Sequence, residues 1–303
     1  MIILSIIKKI ISWLKEHTFE ALLGAIGIGA AGAGVGAANA HQAKRINGQA
    51  LEIHQKAIED YERENQITES VLVELGKIEK QVLDSFPSFC DAIEKIQERP
   101  SFVLKGIGDT KTQKIEPVEL KKISADAQMA IAGAGGVGVG TLAGLAVFGT
   151  STIIAAPAVI GGGLVICFKG ISLKNKAIKN RKQALATRKS VDEIISFFCD
   201  LRFIANSYRD SIINVYNKYV EYLQKTNSIL SVKTKWCDFT KDEKTVVHNA
   251  FMLAGLLHEM IKTDVIIRSD NEKKIENINK NEIEKLQKDA IKLLNKANRY
   301  EKI

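Results

Sequence analysis

From Ala127 to Phe168 the chain runs for 42 residues without one charged side chain, and 19 of them are Gly or Ala. A run of that length must either enter an apolar medium or be buried by the rest of the chain. Asp126 and Lys169 bound it, Gly149-Thr150-Ser151-Thr152 lies at its centre, and Pro157 follows. This punctuation predicts two helices of about twenty residues joined by a tight turn. Gly136, Gly140 and Gly144 repeat at every fourth position, with Ala132 one step earlier. Small residues at that spacing make a flat helix face on which two backbones approach closely. The same run admits two other foldings. The alternation over residues 136–140 suits a β-tongue, and the hairpin can rest buried inside a bundle or oligomer.

A second uncharged segment stands earlier in the chain. In residues 21–40, Ala21, Ala25, Gly29, Ala33 and Ala37 recur at intervals of four, as do Gly32, Gly36 and Ala40. Twenty helical residues rise about 30 Å, the thickness of a hydrocarbon core, although Gly and Ala contribute little transfer energy. Residues 1–17 read as a basic amphipathic helix. Ile3, Ile6, Ile7, Ile10, Ile11 and Leu14 share one side, Trp13 sits at its edge, and Lys8, Lys9 and Lys15 lie opposite. Such a helix lies in a bilayer interface or packs on the protein's own core.

The net charge of +8 suits an anionic partner. Lys169, Lys174, Lys176, Lys179, Arg181, Lys182, Arg188 and Lys189 follow the long apolar run with no acidic residue among them. Cations just outside a hydrophobic segment match anionic headgroups and the cytoplasmic side of a membrane. An anionic bilayer is therefore the expected partner, and nucleic acid is not. The plainer alternative is a solvated helix face.

The two Gly-rich stretches hold 16 of the 22 glycines, and the remainder is helix-permissive. Apolar residues recur at alternating three and four from Ile46 to Ile96, with Pro87 expected to kink or split the helix. Residues 101–117 read as a loop. Ile194, Phe198, Leu201, Ala205, Tyr208, Ile212, Val215, Tyr219 and Tyr222 keep the same spacing in a helix running to about Leu230. Thr240 to Glu243 spell a capping box, and a last helix is expected over about 272–300.

Little here suggests catalysis. Cys90, Cys167, Cys199 and Cys237 form no CxxC pair, and His258-Glu259 lacks the second histidine of a zinc-binding helix. Gly27, Gly29 and Gly32 spell GxGxxG with Glu52 twenty residues on, but no strand precedes them as a dinucleotide site requires. Ala38-Asn39-Ala40 imitates a leader-cleavage site that Glu20 and the unusual length argue against. No cofactor, metal or catalytic residue is expected.

Three stretches carry a resemblance: Ser85-Phe86 through Ile93-Glu94-Lys95-Ile96-Gln97-Glu98-Arg99-Pro100, the Gly/Ala block from near Ala130, and Trp236 through Lys244. Over roughly residues 70–267 the chain resembles a family of uncharacterised bacterial glycine-zipper proteins with a helical membrane hairpin. Its middle block is shorter than that family's, and the resemblance implies no reaction. More loosely, two helical arms around an apolar hairpin are similar to α-helical pore-forming toxins and apolipoprotein-L-type channel proteins, an analogy of architecture.

The sequence thus predicts an all-α chain in which long-helix bundle or coiled-coil arms flank a Gly/Ala-rich helical hairpin. The expected divisions are 1–40 (amphipathic helix and glycine zipper), 41–122 (arm and loop), 123–171 (hairpin) and 172–303 (second arm and C-terminal helices). The expected function is a membrane-inserting or pore-forming effector of toxin or phage-defence type. It would oligomerise through Gly29, Gly32, Gly36, Gly136, Gly140 and Gly144. The expected place is a bacterial inner membrane with the bulk of the chain cytoplasmic, or a soluble resting state. The alternative is a membrane-anchored structural scaffold that binds a protein partner and makes no pore.

Overall fold

Few residues outside the Gly-rich stretches break a helix, and helices dominate the computed structural model, which describes residues 35–100, 120–122, 124–125, 173–267 and 277–299. The principal helices are α1 (Val35–Glu94), α2 (Leu173–Leu230), α3 (Lys241–Lys262) and α4 (Lys280–Arg299). A 3-10 turn, Trp236–Asp238, precedes α3, and β1 (Ile266–Ile267) pairs antiparallel with β2 (Asn277–Ile278). The described residues are mostly helical, consistent with an all-α class.

Pro87 does not split α1, which continues to Glu94. The proline removes one backbone donor, but fully buried Phe86 and Phe89 flank it. The Phe89 ring lies 5.9 Å from that of Tyr219 and 6.1 Å from that of Phe251. Aromatic packing of this kind outweighs one missing ladder bond. Past Glu94 the Lys95 and Ile96 amides donate to Ala92 and Ile93, and the Arg99 guanidinium reaches the Ile93 carbonyl at 2.8 Å. Those bonds satisfy carbonyls that a helix end leaves open.

All nine residues of the α2 stripe are buried, from Ile194 to Tyr222. At the start of α3 the capping box is complete: the Thr240 hydroxyl accepts from the Glu243 amide at 3.2 Å, and the Glu243 carboxylate accepts from the Thr240 amide at 2.7 Å. The last helix begins at Lys280 rather than near 272. Ile278 is drawn into the β pairing instead, where the Asn279 amide donates to Val265 and its side chain to Asp264.

The chain divides into two compact units. One comprises Met1–Thr68, Ile153–Asp200 and Arg268–Glu276; the other comprises Glu69–Thr152, Leu201–Ile267 and Asn277–Ile303. In the first unit, buried residues recur every seven positions. Ala43, Ala50 and Ala57 do so on α1, as do His54, Tyr61 and Thr68 on the adjoining line, while Ala177, Ala184, Val191 and Phe198 do so on α2. The Asn180 amide donates to the Asn47 side chain at 3.1 Å, Arg188 pairs with Asp60, and the Tyr61 and Phe198 rings are 5.9 Å apart. Partners climb both helices together, so the two segments run parallel.

In the second unit, α1 and α2 are again parallel. Tyr216 hydrogen-bonds Gln81, and the Tyr219 hydroxyl reaches the Ser85 carbonyl. α3 runs against α2, as Lys233–Glu243 at one end and Tyr208–Met260 at the other require. α4 follows α2, with Gln287 on Ser207 and Ser211, and Tyr222 on Ala297.

The inserting, pore-forming effector is overturned. Among the described residues no helix is long and apolar enough to cross a membrane. α1 and α2 have 60 and 58 residues, but charges recur along both and only one stripe of each is apolar, consumed by internal packing. The toxin, phage-defence and transmembrane readings fall with it. Residues 1–34 and 126–172, including most of both Gly/Ala segments, lie outside the described residues.

Candidate functional site

Of the residues expected to act, Lys179, Arg181 and Lys182 are exposed near the start of α2; Lys174 and Lys176 belong to the same helix, and Gly36 to the first turn of α1. Gly29, Gly32, Gly136, Gly140, Gly144, Lys8, Lys9, Trp13, Lys15 and Lys169 lie outside the described residues.

Two stretches that stand far apart in the sequence meet in the second unit. The Gln97 amide donates to the Thr234 carbonyl at 2.8 Å, and the Trp236 amide donates to the Gln97 carbonyl at 3.0 Å. The Trp236 ring then packs 5.6 Å from Phe239 and lies under the Lys244 ammonium. Glu98, beside the clasp, has φ 55°, a left-handed backbone uncommon for a residue with a Cβ. Lys233 binds both Glu243 oxygens at 2.9 Å and so ties the turn to the capping box. The Lys233 ammonium is the foremost cause holding the Glu243 carboxyl below its ordinary range.

The sequence reading missed Glu79. A three-four stripe of apolar residues along α1 runs through Leu75, Ile78 and Val82, yet the structure buries Glu79 at 6 % exposure and leaves Ile78 half-buried. Leu75, Glu79, Val82 and Phe86 keep the three-four spacing, so the position was legible and its charge concealed it. Burial first, and the Asp264 carboxylate second, push the Glu79 carboxyl up to about 8. Fully buried Tyr208 stands in the same region, its hydroxyl 2.7 Å from the Met260 carbonyl and bonded also to Thr263. Burial and the nearby carboxylates raise that phenol well above its usual value.

This cluster joins the ends of elements. His258 is buried with Nδ1 3.1 Å from Glu259. Burial raises the Cys90 thiol to about 11, which makes it a poor nucleophile. A shallow, open groove is lined by Lys77, Lys80, Gln81, Asp84, Ser85 and Tyr216. Its lysines pair with Glu74 and Asp84. Among the described residues no group of three His, Cys, Asp or Glu side chains is placed to hold a metal ion. No protein-family model, curated protein or solved structure matches the chain.

Proposed function

We propose that the chain is a non-catalytic structural and interaction scaffold, attached to a membrane and forming no pore. One observation carries this reading: three tyrosine hydroxyls of α2 tie it to three different partners. Tyr208 donates to Met260 at the end of α3, Tyr219 to Ser85 of α1, and Tyr222 to Ala297 of α4. These three hydroxyls fix helices against one another. A frame of this kind presents surfaces rather than reacting groups.

In this reading the helices act as a bundle, with a parallel coiled-coil pair in the first unit, and flank the Gly/Ala hairpin. The hairpin and the segment at 21–40 serve attachment and self-association. The stretches around Gln97 and Trp236 clasp each other within the same frame. Exposed Phe203 and Val232, 74 % and 80 % accessible, are the apolar contacts offered to a protein partner. The test is flotation of the purified chain with anionic vesicles loaded with a self-quenching dye. Co-flotation without dye release is the expected result; release at concentrations that saturate binding would refute a pore-free scaffold.

A further inference from the structure

We propose that the N-terminal ends of α1 and α2 together form one basic surface that docks on anionic lipid headgroups. This rests on the membrane-attachment reading and names the end of the first unit that makes the contact.

The parallel pairing is the decisive observation. With Asn47 bonded to Asn180 at 3.1 Å and Tyr61 packed on Phe198, both helices of the first unit start at the same end. Each starts basic. α1 carries Lys44 and Arg45 and meets its first acidic residue at Glu52; α2 carries Lys174, Lys176, Lys179, Arg181 and Lys182 and meets its first at Asp192. In the register set by Asn47 and Asn180, Lys44 and Arg45 stand within about one turn of Lys179 to Lys182. Lys44, Arg45, Lys179, Arg181 and Lys182 are all exposed. An antiparallel pair would have put these two runs at opposite ends, each a modest charge run with no combined field. Parallel helices also aim the positive ends of both dipoles the same way.

The chain itself indicates the partner. Both basic starts follow directly on uncharged Gly/Ala-rich sequence, residues 21–40 before Lys44 and 127–168 before Lys174. Cations gathered where apolar segments join a folded part are the pattern that binds anionic lipid. Nucleic acid is less well served, because residues 35–51 and 173–191 contain no Phe, Tyr or Trp on which a base could stack.

The experiment uses the full chain and vesicles of phosphatidylcholine with and without about one-quarter phosphatidylglycerol, read by co-sedimentation. Each basic residue at such a surface is worth about a fivefold change in partition, so Lys44→Glu with Arg45→Glu should weaken binding at least about 25-fold. Lys179→Glu with Lys182→Glu should do the same, and added salt should weaken the wild type. Lys288→Glu with Lys296→Glu, on α4, should stay within about twofold, because those lysines lie outside the surface. Circular dichroism checks that each variant keeps its helix. Wild-type binding to neither vesicle would overturn membrane attachment itself. Equal binding to both vesicles would leave attachment standing and overturn the headgroup surface. So would an α1 pair that behaves like the α4 control, or displacement of the chain from vesicles by duplex DNA.

Discussion

The two units use the same three-four spacing for opposite ends. In the first, Ala43, Ala50 and Ala57 are buried on α1 and Ala177 and Ala184 on α2, with asparagine amides bonded across the pair, before larger Tyr61 and Phe198 close the line. In the second, the buried line is Phe86, Phe89, Tyr208, Tyr219 and Tyr222, each at most 2 % exposed. A buried alanine methyl contributes under about 1 kcal/mol, whereas a buried Phe or Leu contributes about 1.5–3. Alanine brings backbones together and lets a polar pair choose direction; the aromatic rings fill volume and supply most of the free energy. Spacing alone therefore predicts that a helix has a buried face. Side-chain size and polarity decide whether that face fixes register or stability.

Phe89→Ala should show the contrast most strongly. It empties the space between Tyr219 and Phe251 and should cost about 3–5 kcal/mol in chemical denaturation. Hydrogen exchange should accelerate across the second unit and far less at Ala43 to Ala57. Equal acceleration in both would mean that they unfold as one, and the distinction between their cores would lose its thermodynamic content.

Glu79 sharpens the comparison through pH. Its carboxyl is raised from 4.5 to about 8 in the folded chain, so between those values the native state holds a proton that the unfolded chain has released. Stability must then fall as pH rises through this window and level off above it. Glu79→Gln keeps the shape without the ionisation, and should flatten the profile and gain on the order of 3 kcal/mol at pH 9. A wild-type profile that is level from pH 5 to 9 would show that Glu79 is not held neutral by its burial.

The Asn47–Asn180 pair separates stability from specificity. Replacing both by Leu should raise stability by about 1 kcal/mol, since an apolar pair no longer loses its hydration to make one amide bond. It should also loosen the parallel register, because a buried asparagine penalises slipped and reversed pairings. Spin labels at positions 44 and 178 should give one narrow distance in the wild type and a broader distribution in the double variant. An equally narrow distribution would transfer the register-setting role to Arg188 and Asp60.

Much of the helical framework was legible in advance. The nine-residue stripe of α2, the α2 end at Leu230 and the Thr240 capping box all depend on contacts within a few residues, which spacing records directly. Three things were not legible, each for a long-range reason. Pro87 looked like a break because Phe251, which packs on Phe89, is remote in sequence. The last helix looked longer because Ile278 fits a helical stripe as well as it fits pairing with Ile266. Glu79 was passed over because its charge hid a core position. The candidate surface shows the same limit: composition gave the Lys179–Lys182 cations, but only the direction of α2 beside α1 adds Lys44 and Arg45 to them.

The smallest effect is expected at Gly48, and it bears on the first unit alone. Gly48 sits inside α1, and a Cβ built there meets nothing within 4 Å. Its lack of a side chain serves no close approach, whereas the methyl of Ala50 two residues on is buried, at 2 % exposed. Glycine in a helix interior loses more backbone entropy on folding than alanine, by about 0.5–1 kcal/mol. Gly48→Ala should therefore stabilise the first unit by that amount, seen as slower hydrogen exchange around residues 44–57 with the second unit unchanged. The gain must be small, since the new methyl buries nothing and acts only through the unfolded chain and the helix backbone. A loss of stability would mean that position 48 is a contact surface after all. The small-residue face of α1 would then extend beyond the alanine line and be shared with another helix, in this chain or in a second copy.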